Sequence, residues 1–146
     1  MKQTKKQNTT NLYSKTRAVR ISIGLLIIAL CTNHTVKAQS NTAYGIDALK
    51  GITTGFGNAA FGYQALYKNS GGTYNNAYGY QALYNNTKGN FNMANGVQAL
   101  YYNTEGESNT ASGFNALYRN TLGSGNTANG RWALYSNDRG NYNTAC

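Results

Sequence analysis

Asparagine stands at positions 41, 58, 75, 92, 109, 126 and 143, always 17 residues apart, and each one opens another copy of N-T-A-x-G-x-x-A-L-Y-x-N-T-x-G-x-x. Ala holds place three in all seven copies, and Gly holds place five in the six complete ones, from Gly45 to Gly130. Place nine is Leu in every complete copy, and place fifteen is Gly from Gly55 to Gly140. A fixed short period means stacked units that touch mainly their neighbours. Seventeen residues are too few for a helix pair, whose repeats run to about 33 to 47 residues. One long helix fails as well, because two glycines per repeat would each cost up to about 1 kcal/mol relative to Ala. A coil of two short strands and two Gly-bearing turns uses about this much chain, and the absence of proline leaves every N–H free to join a ladder between coils. The expected fold is therefore all-β: a parallel β-solenoid, or β-roll, of six 17-residue coils starting at 41, 58, 75, 92, 109 and 126, with a seventh begun at 143–146. Within each coil the G-x-x-A-L-Y stretch has an alternative, a short helical turn, between which and a strand periodicity does not decide.

Stacking at about 4.8 Å per coil turns each column of the alignment into a ladder of like side chains. Ala at places three and eight suits a narrow interior, and Leu66, Leu83 and Leu100 mark its one bulky apolar column. Asn58, Asn75 and Asn92 at place one, like the asparagines at place twelve, read as turn residues that bond their own backbone and the amide of the next coil. Tyr67, Tyr84 and Tyr101 belong to an aromatic column at place ten, replaced by Lys50 in the first copy. One Leu and two Ala per coil offset only part of the entropy lost in ordering the chain. Side-by-side association is expected to supply the rest, most simply as a homotrimer with the tyrosine column packed between protomers.

The runs N-T-A-Y-G-I-D-A-L from Asn41, N-A-A-F-G-Y-Q-A-L from Asn58 and N-N-A-Y-G-Y-Q-A-L from Asn75 resemble the Hep/Hag-like head repeats of trimeric autotransporter adhesins. They also resemble the N-T-A-x-G-Y-Q-A-L arrays of bacterial and phage fibre proteins that end in an endosialidase-type chaperone. The likeness covers Asn41 to Cys146. It implies a trimeric, left-handed parallel β-roll at a bacterial surface, although the adhesin coil is a few residues shorter.

Residues 1–20 carry Lys2, Lys5, Lys6, Lys15, Arg17 and Arg20 with no acid, and Ile21 to Cys31 is apolar. That pattern reads as a signal peptide over 1–38, cut between Ala38 and Gln39 after Val36-Lys37-Ala38. About 11 apolar residues fall short of the roughly 20 that span a bilayer, so no membrane span is expected in the mature chain. A lipid-bearing Cys31 is disfavoured because Leu30 stands where such signals have a small residue. Seven of the 13 basic residues leave with the signal, and the six that remain against four acids give 6 − 4 = +2. The six are spread over different columns, which argues against a nucleic-acid-binding face. Residues 143–146 start a copy without finishing it, the reading expected of a truncated fragment, and leave Cys146 as an unpaired thiol. The expected location is secreted or cell-surface, in association with a bacterial outer membrane.

Little in the chain points to catalysis. The one histidine, His34, lies in the signal, and the acids Glu105 and Glu107 flank the turn glycine Gly106. Place seven reads Asp47, Gln64, Gln81, Gln98, Asn115, Trp132, not the Asp-per-repeat of calcium solenoids. No glycine-rich stretch is followed by the Lys-Ser/Thr of a phosphate loop. No enzyme activity, cofactor or metal is expected. What remains is a surface rich in tyrosine, Asn and Gln. Tyr44, Phe61, Tyr78 and Asn95 at place four are the candidate binding face for a glycan or a host-surface protein. The expected role is a secreted adhesive fibre segment. A phage-type tail-fibre spacer and an ice- or glycan-binding solenoid using the Thr column (Thr53, Thr87, Thr104, Thr121) are the alternatives.

Overall fold

The computed structural model describes residues 40–146. The signal peptide read over 1–38, its cut after Ala38, and the readings of Cys31 and His34 lie outside the described residues. The repeat array is a β-solenoid in which each coil contributes one short strand: β1 (Thr42–Tyr44), β2 (Ala59–Phe61), β3 (Asn76–Tyr78), β4 (Met93–Asn95), β5 (Thr110–Ser112), β6 (Thr127–Asn129) and β7 (Thr144–Ala145). These form a single parallel sheet in chain order. The register advances one repeat per step, so that Ala43 faces Ala60 and Ala60 faces Ala77. Strand pleating sends place three inward and places two and four outward, and from β2 on each central Ala is buried between more exposed neighbours.

The expected second strand is absent, and so is the helical turn. G-x-x-A-L-Y instead opens two consecutive turns, 62–65 and 66–69, with Ala65 N donating to Gly62 O at 3.3 Å and Asn69 N to Leu66 O at 3.2 Å. Gln64 and Leu66 lie in the left-handed region, at φ 53° and 52°, and their equivalents in every other complete coil do the same. This alternation of handedness makes successive amides point to opposite ends of the solenoid. Gln64 N donates back to Ile46 O at 2.9 Å, whereas Leu66 N donates forward to Ala82 O at 3.0 Å. Coil-to-coil hydrogen bonds thus continue without strand geometry. Left-handed φ costs a non-glycine residue roughly 1–2 kcal/mol, and here it accompanies complete burial of Leu66, Leu83, Leu100 and Leu117. A further turn closes each coil on a shared acceptor: Thr87 O receives the amides of Ser70, Gly71 and Gly72 at 3.2, 2.9 and 3.2 Å.

The interior departs most from the expectation for asparagine. Both Asn columns are core, not turn surface: Asn58, Asn75, Asn92, Asn109 and Asn126, with Asn69, Asn86, Asn103 and Asn120, are at most 1 % exposed. Asn75 shows how burial is tolerated. Its Nδ2 donates to Asn58 Oδ1 at 3.2 Å and to Gly89 O at 2.8 Å. Its Oδ1 accepts the backbone N–H and Nδ2 of Asn92 at 3.0 and 3.1 Å. All four bonding positions of the amide are filled, which removes the penalty for burying it. The second column meets the same acceptor from the other side, Asn86 Nδ2 lying 3.0 Å from Gly89 O and 2.8 Å from Asn69 Oδ1. Two amide ladders cross-linked through the place-fifteen carbonyls therefore share the core with one Leu and two Ala per coil.

Candidate functional site

With the interior so narrow, the aromatic rings stand on the outside, most of them in columns. Tyr44, Phe61, Tyr78 and Asn95 project from the outer face of β1 to β4; Tyr44 is 78 % exposed, and Phe61 and Tyr78 stack with centroids 5.1 Å apart and planes 3° from parallel. Beside them the place-six column, Ile46, Tyr63, Tyr80, Val97 and Phe114, is exposed throughout. Across places two, four and six the single charge in the complete coils is Arg131. Its guanidinium lies 5.6 Å from the Phe114 ring and 4.3 Å from the Trp132 ring. The sheet side of the solenoid is consequently a nearly uncharged aromatic surface.

A different surface is formed at place ten. Tyr67, Tyr84, Tyr101, Tyr118 and Tyr135 stack at 5.1, 5.1, 5.2 and 5.1 Å. Lys50, where the first ring would be, sets its ammonium 5.9 Å from the Tyr67 centroid and pairs with Asp47 at 3.1 Å. Each inner ring gives both faces to its neighbours, so the column shows the outside only edges and hydroxyls. Burial within the stack, followed by the nearby Tyr102 hydroxyl, pushes the Tyr101 and Tyr118 phenols above their ordinary value of 10.0. The sign follows directly: above pH 10 the unfolded chain loses these protons first, so the folded state holds more protons and stability falls as pH rises. Thermal unfolding monitored at pH 8 and pH 11 is expected to show a lower melting temperature at the higher pH, and Tyr102→Asn to shrink that difference. A melting temperature independent of pH across this range is the contrary result.

Two columns visible in the sequence, Gln at place seven and Thr at place thirteen, turn out to be hydrogen-bonded ladders. Gln81 Nε2 donates to Gln64 Oε1 at 2.9 Å and Gln98 Nε2 to Gln81 Oε1 at 3.0 Å. The next member, Asn115, is one methylene shorter, and its buried Oδ1 has no partner among the described residues. The Thr column also has internal work. Thr87 Oγ1 donates to Thr104 O at 3.0 Å and Thr104 Oγ1 to Thr121 O at 3.1 Å, so these hydroxyl protons are directed along the coils and not toward a ligand. The signal for both was the same 17-residue recurrence of a polar type, but recurrence alone does not reveal which way a side chain turns.

The predicted ladders are brought together as described: Asn58, Asn75 and Asn92 by hydrogen bonds, Tyr67, Tyr84 and Tyr101 by stacking, and Leu66, Leu83 and Leu100 in the core. Glu105 and Glu107 are separated in role. Glu105 faces Lys88 at 3.6 Å, while Glu107 Oε1 accepts from Asn90 Nδ2 at 2.8 Å. Among the described residues no group of three His, Cys, Asp or Glu gathers where a metal ion would need them. Nor is there, among them, a helix long and apolar enough to cross a membrane. Cys146 is exposed and unpaired. Compared with family models, characterised proteins and solved structures, the chain matches none.

Proposed function

We propose that this chain is a secreted, non-enzymatic fibre segment that presents a repetitive aromatic surface for attachment at a cell or host surface. The observation that carries the reading is the uncharged sheet face, where Tyr44, Phe61 and Tyr78 repeat at one-coil intervals beside Ile46, Tyr63 and Tyr80. Contiguous exposed apolar surface of this kind marks sites of contact with other macromolecules. The chemistry of the ends and of the repeat supports the rest: a basic-then-apolar leader for export, and a resemblance to adhesin heads that implies a trimer. Association through the remaining aromatic columns would bury surface that one thin coil stack leaves in water.

The test uses the full chain. Purified from culture supernatant, it is expected to begin at Gln39, to weigh three chains by light scattering, and to coat an epithelial-cell monolayer. Replacing Phe61 and Tyr78 by Asn, the residue that place four carries at Asn95 and Asn129, is expected to cut attachment by about tenfold. The variant should still fold, with the melting temperature lowered by a few degrees, because the partly exposed ring pair contributes about 0.5–1.5 kcal/mol. Attachment unchanged in this variant would overturn the assignment of the face, and a monomer would overturn the trimer.

A further inference from the structure

Besides the recurring surface columns, exposed positions whose residue changes from coil to coil are free of any demand made by the coil itself. Place eleven differs in every coil, and at the last complete coil it is joined by an acidic residue at place thirteen. Place eleven reads Gly51, Lys68, Asn85, Tyr102, Arg119, Ser136, and place thirteen changes from Thr121 to Asp138. Tyr102, Arg119, Ser136, Thr121 and Asp138, with Tyr118 and Tyr135, line a cleft of about 640 Å³.

Three features define what it would accept. First, Tyr102 stands across the tyrosine column, 4.8 Å from Tyr101 at 80° and 5.2 Å from Tyr118 at 90°. The faces of Tyr101 and Tyr118 are already taken by stacking, so Tyr102 meets their edges with one of its faces. The residue is 44 % exposed and lines the cleft, so ring surface remains open to a ligand.

Second, Arg119 is the one cation without a partner among the six basic residues described. Lys50, Lys88 and Arg139 pair with carboxylates, Lys68 lies 5.4 Å from the Tyr84 centroid, and Arg131 lies over Phe114 and Trp132. Third, Asp138 accepts from Thr121 Oγ1 and sits 3.7 Å from Arg139 Nε, and as a carboxylate it retains lone pairs for further donors. The hydroxyls of Ser136 and Tyr135 border the same cleft.

We propose that this cleft binds an acidic pyranose, a hexuronate unit of a saccharide. The sugar carboxylate takes the planar fork of Arg119 in two charge-assisted bonds. The C–H face of the ring lies on the open surface of Tyr102, and ring hydroxyls donate to Asp138. Asp138 repels any anion, and a carboxylate with its single charge is repelled less than a phosphate dianion. The site lies away from the place-four face and is independent of the attachment reading; it fails or stands separately.

Calorimetric titration of the full chain with trigalacturonate is the experiment, with maltotriose, acetate and AMP as comparison probes. Trigalacturonate is expected to bind saturably with Kd at or below about 1 mM, and each comparison probe at least about tenfold more weakly. Arg119→Ser and Tyr102→Asn install residues that other coils already carry at place eleven, Ser136 and Asn85; both are expected to fold, Arg119→Ser with the wild-type melting temperature and Tyr102→Asn with one lowered by the loss of its two edge-to-face contacts, and each to weaken trigalacturonate about tenfold or more. No saturable heat with trigalacturonate overturns the proposal. So does equal binding of maltotriose or AMP, and so does full affinity in either folded variant.

Discussion

Asn92→Asp is expected to destabilise the chain by about 4 kcal/mol at pH 7, on the scale of leaving a buried charge unpaired, and acidification is expected to restore part of the loss. In the native ladder Asn92 Nδ2 donates to Asn75 Oδ1 at 3.1 Å and to Gly106 O at 2.8 Å. A carboxylate oxygen in that position would face two acceptors with no proton to give. The Oδ1 side would lose nothing, since it would still accept from Asn109 at 3.0 and 3.1 Å. The penalty comes from one atom. Burial and the two facing oxygens would hold the new carboxyl's pKa above the ordinary value of about 3.9. The folded variant would then retain its proton where the unfolded chain has lost it, so stability would fall as pH rises above about 4. Circular-dichroism melts at pH 4 and pH 7 check this: the variant is expected to melt higher at pH 4, with the native chain showing no comparable gain. A variant as stable as the native chain at pH 7 would mean that the amide ladder does not support the core.

Gly79→Ala carries the second large effect, and Gly71→Ala is its internal control. Gly79 has φ 138°, and a Cβ there would lie 2.6 Å from the Gly96 carbonyl oxygen in the next coil. Neither backbone can yield alone, because Gly96 is held by its own amide bond to Tyr78 O at 2.8 Å. Strain in the dihedral, of the order of 1–3 kcal/mol, adds to overpacking of about 1–3 kcal/mol, for an expected loss of about 4 kcal/mol. At Gly71 a Cβ would meet only Thr54 Oγ1 at 3.5 Å, an ordinary contact. Its replacement by Ala is expected to change stability by less than about 0.5 kcal/mol. Equal melting temperatures for the two variants in a urea or thermal series would remove the close-approach explanation for place five. The same reasoning extends to Gly89, where a Cβ would collide with Asn86 Oδ1 and the Gly106 carbonyl.

Reading down the columns found the period, the parallel coil-on-coil register and the identity of the Ala and Leu core. Leu66 and Leu83 occupy the same place, and a parallel stack must set like beside like. Along the coil, local chemistry decides less. Composition predicts a second strand, yet Gln64 and Leu66 adopt left-handed φ, a conformation that residue type disfavours and only the neighbouring coils stabilise. Asparagine in isolation reads as turn chemistry because a lone amide prefers solvent or its own backbone. Its burial becomes favourable only when identical amides above and below satisfy it, which is a property of the stack.

The candidate faces divide the same way. Outward projection of Tyr44, Phe61 and Tyr78 follows from strand alternation around an inward Ala, a local rule. The cleft beside Tyr102 depends on two rings, Tyr101 and Tyr118, giving their faces to each other and only their edges to a third. Seventeen-residue recurrence by itself determined that this chain winds into coils in vertical register, since stacking equal coils is what gives the five asparagines from Asn58 to Asn126 a common buried environment. Which side chains the coil encloses, and which it turns outward, was decided by tertiary structure, because an amide's hydrogen-bond partners and a ring's open surface exist only after neighbouring coils are in place.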